Sequence, residues 1–235
     1  VGAKIHNLRR EKSLFLQLVY AAWFVARAIP NQTTQQNATR KVVSNTQNPM
    51  LQHLLTVETA LITSRTVVRR FRENDGQNYF KLFQDNLDQL ESRFPPIVDY
   101  IPNQDDVEFF VRQKLASWLT QSEYCLGVWD KDSAVPIGLV RISNINWALS
   151  KGELLFFLDK SRHKNGIMTE VLQKVIHFAF YQLQLNKLTL RTESDNFAAQ
   201  RLARKVGFLR EGDLRSEYRR VSGEWVDLMI FGLIK

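Results

Sequence analysis

Between Arg162 and Phe180 the chain reads RHKNGIMTEVLQKVIHFAF, so Arg162, His163 and Lys164 stand just before Asn165 and Gly166, and a run of apolar residues at helical spacing follows. The residues ahead of it, GELLFFLD, read as a strand. A strand, a short polar turn and a helix start aim several backbone N–H groups at one point, because the first four amides of a helix have no partner inside it. That geometry, with cations beside it, suits an anion and phosphate above all. One glycine does not identify such a loop by itself, so the elements that would hold it have to be read.

Other chemistries find few residues to carry them. The chain has no GxGxxG, GxxxxGKS, GxxxxGKT, HExxH, CxxC or GxSxG. Its four histidines, at 6, 53, 163 and 177, are too scattered for a zinc site, so no metal is expected. The single cysteine, Cys125, sits in the strand-like run EYCLGVWD and reads as a buried thiol. Alone it makes no intrachain disulfide, which fits a reducing compartment.

The formal net charge is +8. Residues 1–49 carry seven of the 32 lysines and arginines and one of the 24 acids, so +6 of that charge sits there and +2 on the rest. The basicity therefore says little about the main domain, and DNA is not an expected partner. Residues 8–30, LRREKSLFLQLVYAAWFVARAIP, have basic flanks around an apolar stretch shorter than a comfortable span of about 20 residues. Residues 31–49 read as a polar linker. Three readings compete for this segment: translated sequence ahead of a start at Met50, an export signal, or a surface helix for a membrane or partner. We take the first, with 1–49 outside the fold and 50–235 as one domain that needs no membrane.

Within that domain strands and helices alternate. TVVRRF (66–71) reads as a strand. Asp75 is placed as the N-cap of a helix carrying Tyr79, Phe80, Phe83, Leu87 and Leu90 and stopping at Pro95-Pro96. A second helix is capped by Asp105 or Asp106, with Phe109, Phe110, Leu115, Trp118 and Leu119 on its apolar side. A hairpin turning near Lys131 to Pro136, the strand GELLFFLD and the helix after Gly166 follow, that helix burying Val171, Leu172, Val175 and Ala179 and leaving His177 in solvent. KLTLRTE (187–193) is a strand, NFAAQRLARKVGF a helix ending at Gly207, and two closing strands meet across Val221-Ser222-Gly223. The basic run RLARKVGFLREGDLRSEYRR reads as solvated faces rather than an RNA site. The sum is a mixed α/β (α+β) domain on one sheet.

From about Ile62 to Lys235 the order of elements resembles the GNAT superfamily of acetyl-CoA-dependent N-acetyltransferases, and within it the RimJ/RimL branch that acetylates N-terminal amines of ribosomal proteins. Four stretches carry this: TSRTVVRRFRENDGQNYFKLF, GELLFFLDKSRHKNGIMTEVLQKVIHFAF, LTLRTESDNFAAQRLARKVGFLREGDLR and EWVDLMIFGLI, in that order. The resemblance implies a single mixed, mostly antiparallel sheet flanked by helices. It implies acetyl-CoA as donor, no metal, a protein N-terminus as acceptor (a ribosomal protein in that branch) and a cytoplasmic location. The oligomeric state stays open between monomer and homodimer. A small-molecule amine such as a polyamine or aminoglycoside, or a non-catalytic module that binds acetyl-CoA or a ribosome, are the alternatives.

It also assigns positions. The family loop, Gln/Arg-x-x-Gly-x-Gly/Ala, falls on His163, Lys164, Asn165, Gly166, Ile167 and Met168, whose backbone amides would hold the coenzyme A pyrophosphate. His163 departs from Gln/Arg, Lys164 stands where a further glycine is common, and Met168 departs from a small residue. If the loop needs positive φ at Lys164, strain of about 1–3 kcal/mol results, offset in part by its charge and that of Arg162. The strand 153–159 should splay from 187–193, with backbone groups of Phe157 and Leu158 meeting the pantetheine and thioester. Asn196 matches an asparagine near the cofactor and also reads as an N-cap. Glu153 matches a family glutamate on the cofactor strand. Glu217 lies one residue from the glutamate proposed as base in RimL-like enzymes, with Tyr218 in register; a bulge would restore its face. The serine considered a general acid in that branch is Ala199 here.

Overall fold

A computed structural model describes residues 57–93, 101–220 and 223–235 of the chain. The expected segment 1–49 and its boundary at Met50, the helix stop at Pro95-Pro96 and the turn residues Val221 and Ser222 lie outside the described residues. Residues Val57–Lys235 form one compact unit.

Eight strands make one sheet: β1 (Ala60–Ile62), β2 (Thr66–Arg70), β3 (Tyr124–Asp130), β4 (Pro136–Asn146), β5 (Lys151–Leu158), β6 (Lys187–Glu193), β7 (Leu209–Arg219) and β8 (Trp225–Ile234). Their spatial order is β1-β2-β3-β4-β5-β6-β8-β7. Every neighbouring pair is antiparallel except β5 with β6. The described helices are α1 (Gly76–Asp85), α2 (Leu87–Arg93), α3 (Gln104–Leu119), α4 (Ile167–His177) and α5 (Phe197–Lys205). This is the mixed, mostly antiparallel sheet with flanking helices that the sequence leads one to expect, with the short β1 added ahead of it.

Alternation along the strands sorts side chains into two cores. On one face, Cys125, Trp129, Leu139 and Phe157 pack against Tyr79 and Phe83 of α1 and Phe110 and Val111 of α3. On the other, Leu126, Val140, Leu154 and Leu158 meet Val171, Leu172 and Val175 of α4, and Leu190 and Phe231 meet Ala203 of α5. The aromatic stripe of α1 is core: Tyr79 to Phe83 and Phe83 to Phe157 are edge-on ring pairs at 5.6 and 6.3 Å. Such pairs contribute about 0.5–1.5 kcal/mol each beyond burial. They fasten the end of β5 to α1.

Local details differ from the sequence expectations. The helix read as continuous after Asp75 breaks at Asn86, which is fully buried. Its Nδ2 donates to the Leu82 carbonyl at 2.9 Å and its Oδ1 accepts from the Lys160 N–H at 2.9 Å. Asp75 stands at the N-cap position of α1 without a side-chain cap. Its carboxylate instead takes a bidentate pair from Arg69, at 2.8 and 2.9 Å, and the Arg72 N–H. The cap of α3 is Asn103, accepting from Asp106 N, rather than Asp105 or Asp106 themselves. Phe109 and Leu119 are exposed, and Val107 and Val111 take their places in the core. A π-type turn, Phe178–Gln182, prolongs α4 and buries Phe178 and Phe180.

Candidate active site

Parallel pairing of β5 with β6 covers only Lys151 with Lys187, Gly152 with Leu188 and Glu153 with Thr189. Beyond that point β5 stays with β4 as far as Leu158, and β6 stays with β8 as far as Glu193. The strands diverge, and a cleft of about 270 Å³ opens between them, walled by Glu153, Phe156, Arg191, Glu193, Asn196 and Tyr218 among others.

Backbone direction along the cleft follows from register. The Asp159 N–H donates to the Ile137 carbonyl at 2.8 Å, in line with the β4–β5 pairing. In an antiparallel ladder such bonded pairs alternate, so Phe157 and Leu155 turn their backbone groups to β4. Leu154, Phe156 and Leu158 turn theirs the other way, toward β6 and the cleft. Of the two residues expected to meet a ligand there, Leu158 has the parity that turns away from β4, with its carbonyl taken by His163, whereas Phe157 faces β4 and its ring is core; Phe156 shares the parity of Leu158 and lines the cleft. Across the gap, the Ser194 N–H bonds to Asp227 on the β8 side, so Arg191 and Glu193 present their backbone to the cleft.

β5 leads straight into the cationic loop. After Leu158, Asp159 accepts from the Ser161 N–H and starts a 3-10 turn, Lys160–Arg162. His163 folds back, and its Nε2–H donates to the Leu158 carbonyl at 3.0 Å. Arg162 turns to Asp130, 3.6 Å away. The Asp130 carboxyl is held below its ordinary range chiefly by the Ser133 N–H and hydroxyl, with Arg162 adding to this. Lys164 has φ +63° and Gly166, the N-cap of α4, has φ +75°. The left-handed conformation suits Gly166 and costs Lys164, as an L-residue, about 1–2 kcal/mol. Ile167 and Met168 bury their side chains and pin the start of α4. The bulk of Met168, which stands where the family loop has a small residue, lies in the core. The N–H groups of Gly166, Ile167 and Met168 fall outside the helical ladder, whose first bonds run from Thr169 and Glu170 to the Gly166 carbonyl.

Both glutamates come to one arginine. Glu153 Oε2 accepts from Asn144 Nδ2 at 2.8 Å and from Arg191 Nη2 at 2.9 Å. Glu217 Oε1 lies 3.5 Å from Arg191 Nη1. A regular β7 would turn Glu217 away, but the register with β8 slips between Leu214 and Tyr218, and Ser216 takes φ +49° inside that bulge. Ser216 donates its N–H to Asp227 Oδ1 at 2.7 Å. Tyr218 returns to register opposite Val226, and its hydroxyl donates to Glu193 Oε1. Glu193 is buried and also takes Arg220 Nη2 at 2.5 Å. Asn196 caps α5, accepting from the Ala199 N–H at 3.1 Å, and lines the cleft with Ala199.

Phe156, Arg191 and Glu193 were not singled out in the sequence, and Tyr218 was noted only as the residue in register with the family glutamate. They lie within β5, β6 and β7, and neither residue type nor spacing sets them apart from their neighbours there. Among the described residues no group of three or more His, Cys, Asp and Glu could hold a metal ion. No described helix is long and apolar enough to cross a membrane.

Comparison with known proteins bears on the family and the fold. The family described as Acetyltransferase (GNAT) domain matches residues 65–209. The Bacillus subtilis (strain 168) protein "Probable N-acetyltransferase YjcK" is 30% identical over 113 residues, which are 48% of this chain and 62% of that protein. The structure of a ribosomal-protein-S5-alanine acetyltransferase from Vibrio fischeri superposes with a TM-score of 0.70 at 20% identity, covering 75% of this chain and 97% of that one. RimL, a ribosomal L7/L12 alpha-N-protein acetyltransferase solved with coenzyme A, gives 0.70 at 17% identity, covering 75% and 98%. The chain belongs to the GNAT acetyltransferase family.

Proposed function

We propose that this GNAT chain moves an acetyl group from acetyl-CoA to a primary amine, and that the acceptor is the N-terminal amine of a protein, with ribosomal proteins as the first class to test. The observation that carries the reading is the three-pair junction of β5 and β6, beyond which a cleft opens beside β5, the strand that runs on to a left-handed glycine at a helix start. Acetyl-CoA supplies the activated thioester. The chain's own residues do the rest. Backbone N–H groups of Asn165, Gly166, Ile167 and Met168 take the pyrophosphate, and Lys164 adds charge beside it. Phe156 and Leu158 extend the β5 edge along the pantetheine in the manner of an added strand, and His163 steadies that edge through the Leu158 carbonyl. Asn196 fixes the first turn of α5 at the cleft wall.

In the transfer, the neutral amine's nitrogen bonds to the acetyl carbon, the carbon–sulfur bond breaks, and coenzyme A leaves as its thiolate, which the proton given up by the amine converts to the thiol. The amine gives up a proton, to Glu153 or Glu217 directly or through water, and a strand N–H steadies the charge that builds on the thioester oxygen. The acceptor class rests on relatives named as ribosomal-protein acetyltransferases, and a cytoplasmic setting goes with it. The test is thiol release from acetyl-CoA with peptides bearing ribosomal-protein N-termini, set beside polyamines and aminoglycosides, with intact-mass analysis of ribosomal proteins. Turnover confined to small amines would overturn the acceptor. Binding of acetyl-CoA with no thiol release from any acceptor would make the chain a binding module.

A further inference from the structure

We propose that Arg65, on the turn between β1 and β2, is a positioning residue for the 163–166 loop, fixing the direction of the Gly166 N–H. The inference rests on the reading of that loop as the pyrophosphate site. Arg65 Nη1 donates to the Asn165 carbonyl at 2.7 Å. Its Nε and Nη2 both reach Glu170 Oε1, at 3.1 and 2.6 Å. Ser64 Oγ donates to the other oxygen of Glu170 at 2.6 Å. One guanidinium thus joins the last carbonyl of the loop to the first turn of α4, from a segment about a hundred residues earlier in the chain.

The consequence follows from peptide geometry. The Asn165–Gly166 bond is trans, as no cis bond occurs among the described residues. In a planar trans peptide the C=O and the next N–H point in opposite directions. A carbonyl held toward Arg65 therefore holds the Gly166 N–H away from it, on the side where the loop presents its amides. Without the clamp this peptide joins Asn165 to Gly166, whose φ is +75°, and glycine allows it to turn over at small cost. Glu170 keeps the fork from swinging off the carbonyl. The Ser64 hydroxyl, and after it Arg65, hold the Glu170 carboxyl below its ordinary range, so the fork stays charge-paired at neutral pH.

The test is titration of the full chain with coenzyme A for wild type, Arg65→Ala and the double variant Arg65→Ala/Glu170→Gln, with melting curves for each. Arg65→Ala should weaken coenzyme A about tenfold, the scale of one lost charge-assisted contact. If Arg65 served only to balance the charge of Glu170, the double variant would recover wild-type affinity; if it orients the peptide, the double variant stays weak. Pantetheine, which lacks the pyrophosphate, should bind wild type and Arg65→Ala alike by NMR titration, whereas a general loss of structure would weaken both ligands. Full recovery in the double variant, an unchanged Arg65→Ala, or equal losses for the two ligands overturns the proposal. Should Arg65→Ala fail to fold, Arg65→Leu, which keeps an aliphatic stem but no donor for the carbonyl, is read instead with the same expected loss; if that also fails to fold, Arg65 is a fold residue and the proposal falls. Wild type that binds no coenzyme A refutes the pyrophosphate reading itself, a separate outcome.

Discussion

Replacing Gly166 by valine separates the cost of a loop conformation from the cost of blocking a ligand. Gly166 has φ +75°. A side chain there costs about 1–2 kcal/mol in the left-handed region, and a β-branched one sits toward the upper end. Space for the first carbon is not the difficulty, since the nearest atom to a Cβ would be Arg65 Nη2 at 3.6 Å, an ordinary contact. The domain should therefore still fold, with a melting temperature lower by roughly 2–8 °C at 2–4 °C per kcal/mol for its size. If the loop relieves the strain by rotating φ, the Gly166 N–H turns off the anion. A hydrogen bond to a charged group contributes about 1.5–3 kcal/mol, so affinity for coenzyme A should fall roughly ten- to a hundredfold. Calorimetric titration gives the affinity, and circular dichroism should show nearly unchanged helix. Gly212→Val is the control, because a Cβ there meets nothing within 4 Å and its φ is not positive. A Gly166→Val protein that melts early yet binds coenzyme A as wild type does would remove the loop from the site.

Glu153→Gln should slow turnover about a hundredfold, the low end for loss of acid–base assistance, and Glu217→Gln less, with coenzyme A affinity kept in both. Turnover abolished in Glu217→Gln and retained in Glu153→Gln would make the residue in the β7 bulge the base. Cys125, whose thiol is pushed up to about 12 chiefly by burial, should resist a disulfide reagent at pH 8 until the chain is unfolded; rapid labelling of native protein would contradict its burial. A chain beginning at Met50 should bind coenzyme A as tightly as the full chain, and insolubility or lost binding would put residues 1–49 in the domain. In hydrogen exchange, the amides of Phe156 and Leu158 should gain protection when coenzyme A is added, while that of Phe157 is protected throughout; the reverse order would mean that the strand register assigned here is wrong.

What the sequence disclosed and what it hid have physical causes. Gly166 was legible because a left-handed N-cap favours one residue type, and α4 was legible because Val171, Leu172 and Val175 repeat at helical spacing. The break at Asn86 was hidden because apolar periodicity runs through it, from Phe83 to Leu87 and Leu90; what stops the helix is a buried amide that serves the Lys160 turn, a contact far away in sequence. Phe109 and Leu119 were counted as core because an apolar residue does not declare which side of a helix the sheet will cover. The exchange of Phe156 for Phe157 has the same origin. Which backbone groups face a cleft depends on the parity of pairing with β4, and parity belongs to two strands at once. Glu217 is the sharpest case: its side of the sheet depends on a bulge around Ser216, and nothing in LRSEYRR announces one.

The cleft stays open for reasons of packing and pairing. Diverging strands leave backbone groups that water or a ligand must satisfy, and a sheet free to close would close. Each half is held from behind. β5 is fixed by its pairing with β4 and by Phe157 against Phe83. Tyr79 adds a buried bond from its hydroxyl to the Gly138 carbonyl at 2.8 Å. β6 is fixed by β8, and its end is tied to α5: the Asn196 N–H bonds to the Glu193 carbonyl at 3.0 Å, and Gln200 Nε2 to the Ser194 carbonyl at 2.9 Å. Across the gap itself runs the Arg191–Glu153 pair, whose partly exposed partners contribute about 0–1 kcal/mol. That is too little to draw the strands together, and it leaves both charges able to respond to an arriving ligand. The opening is therefore set by two separately packed halves before anything binds, so a ligand that runs along β5 pays little for reorganising the sheet.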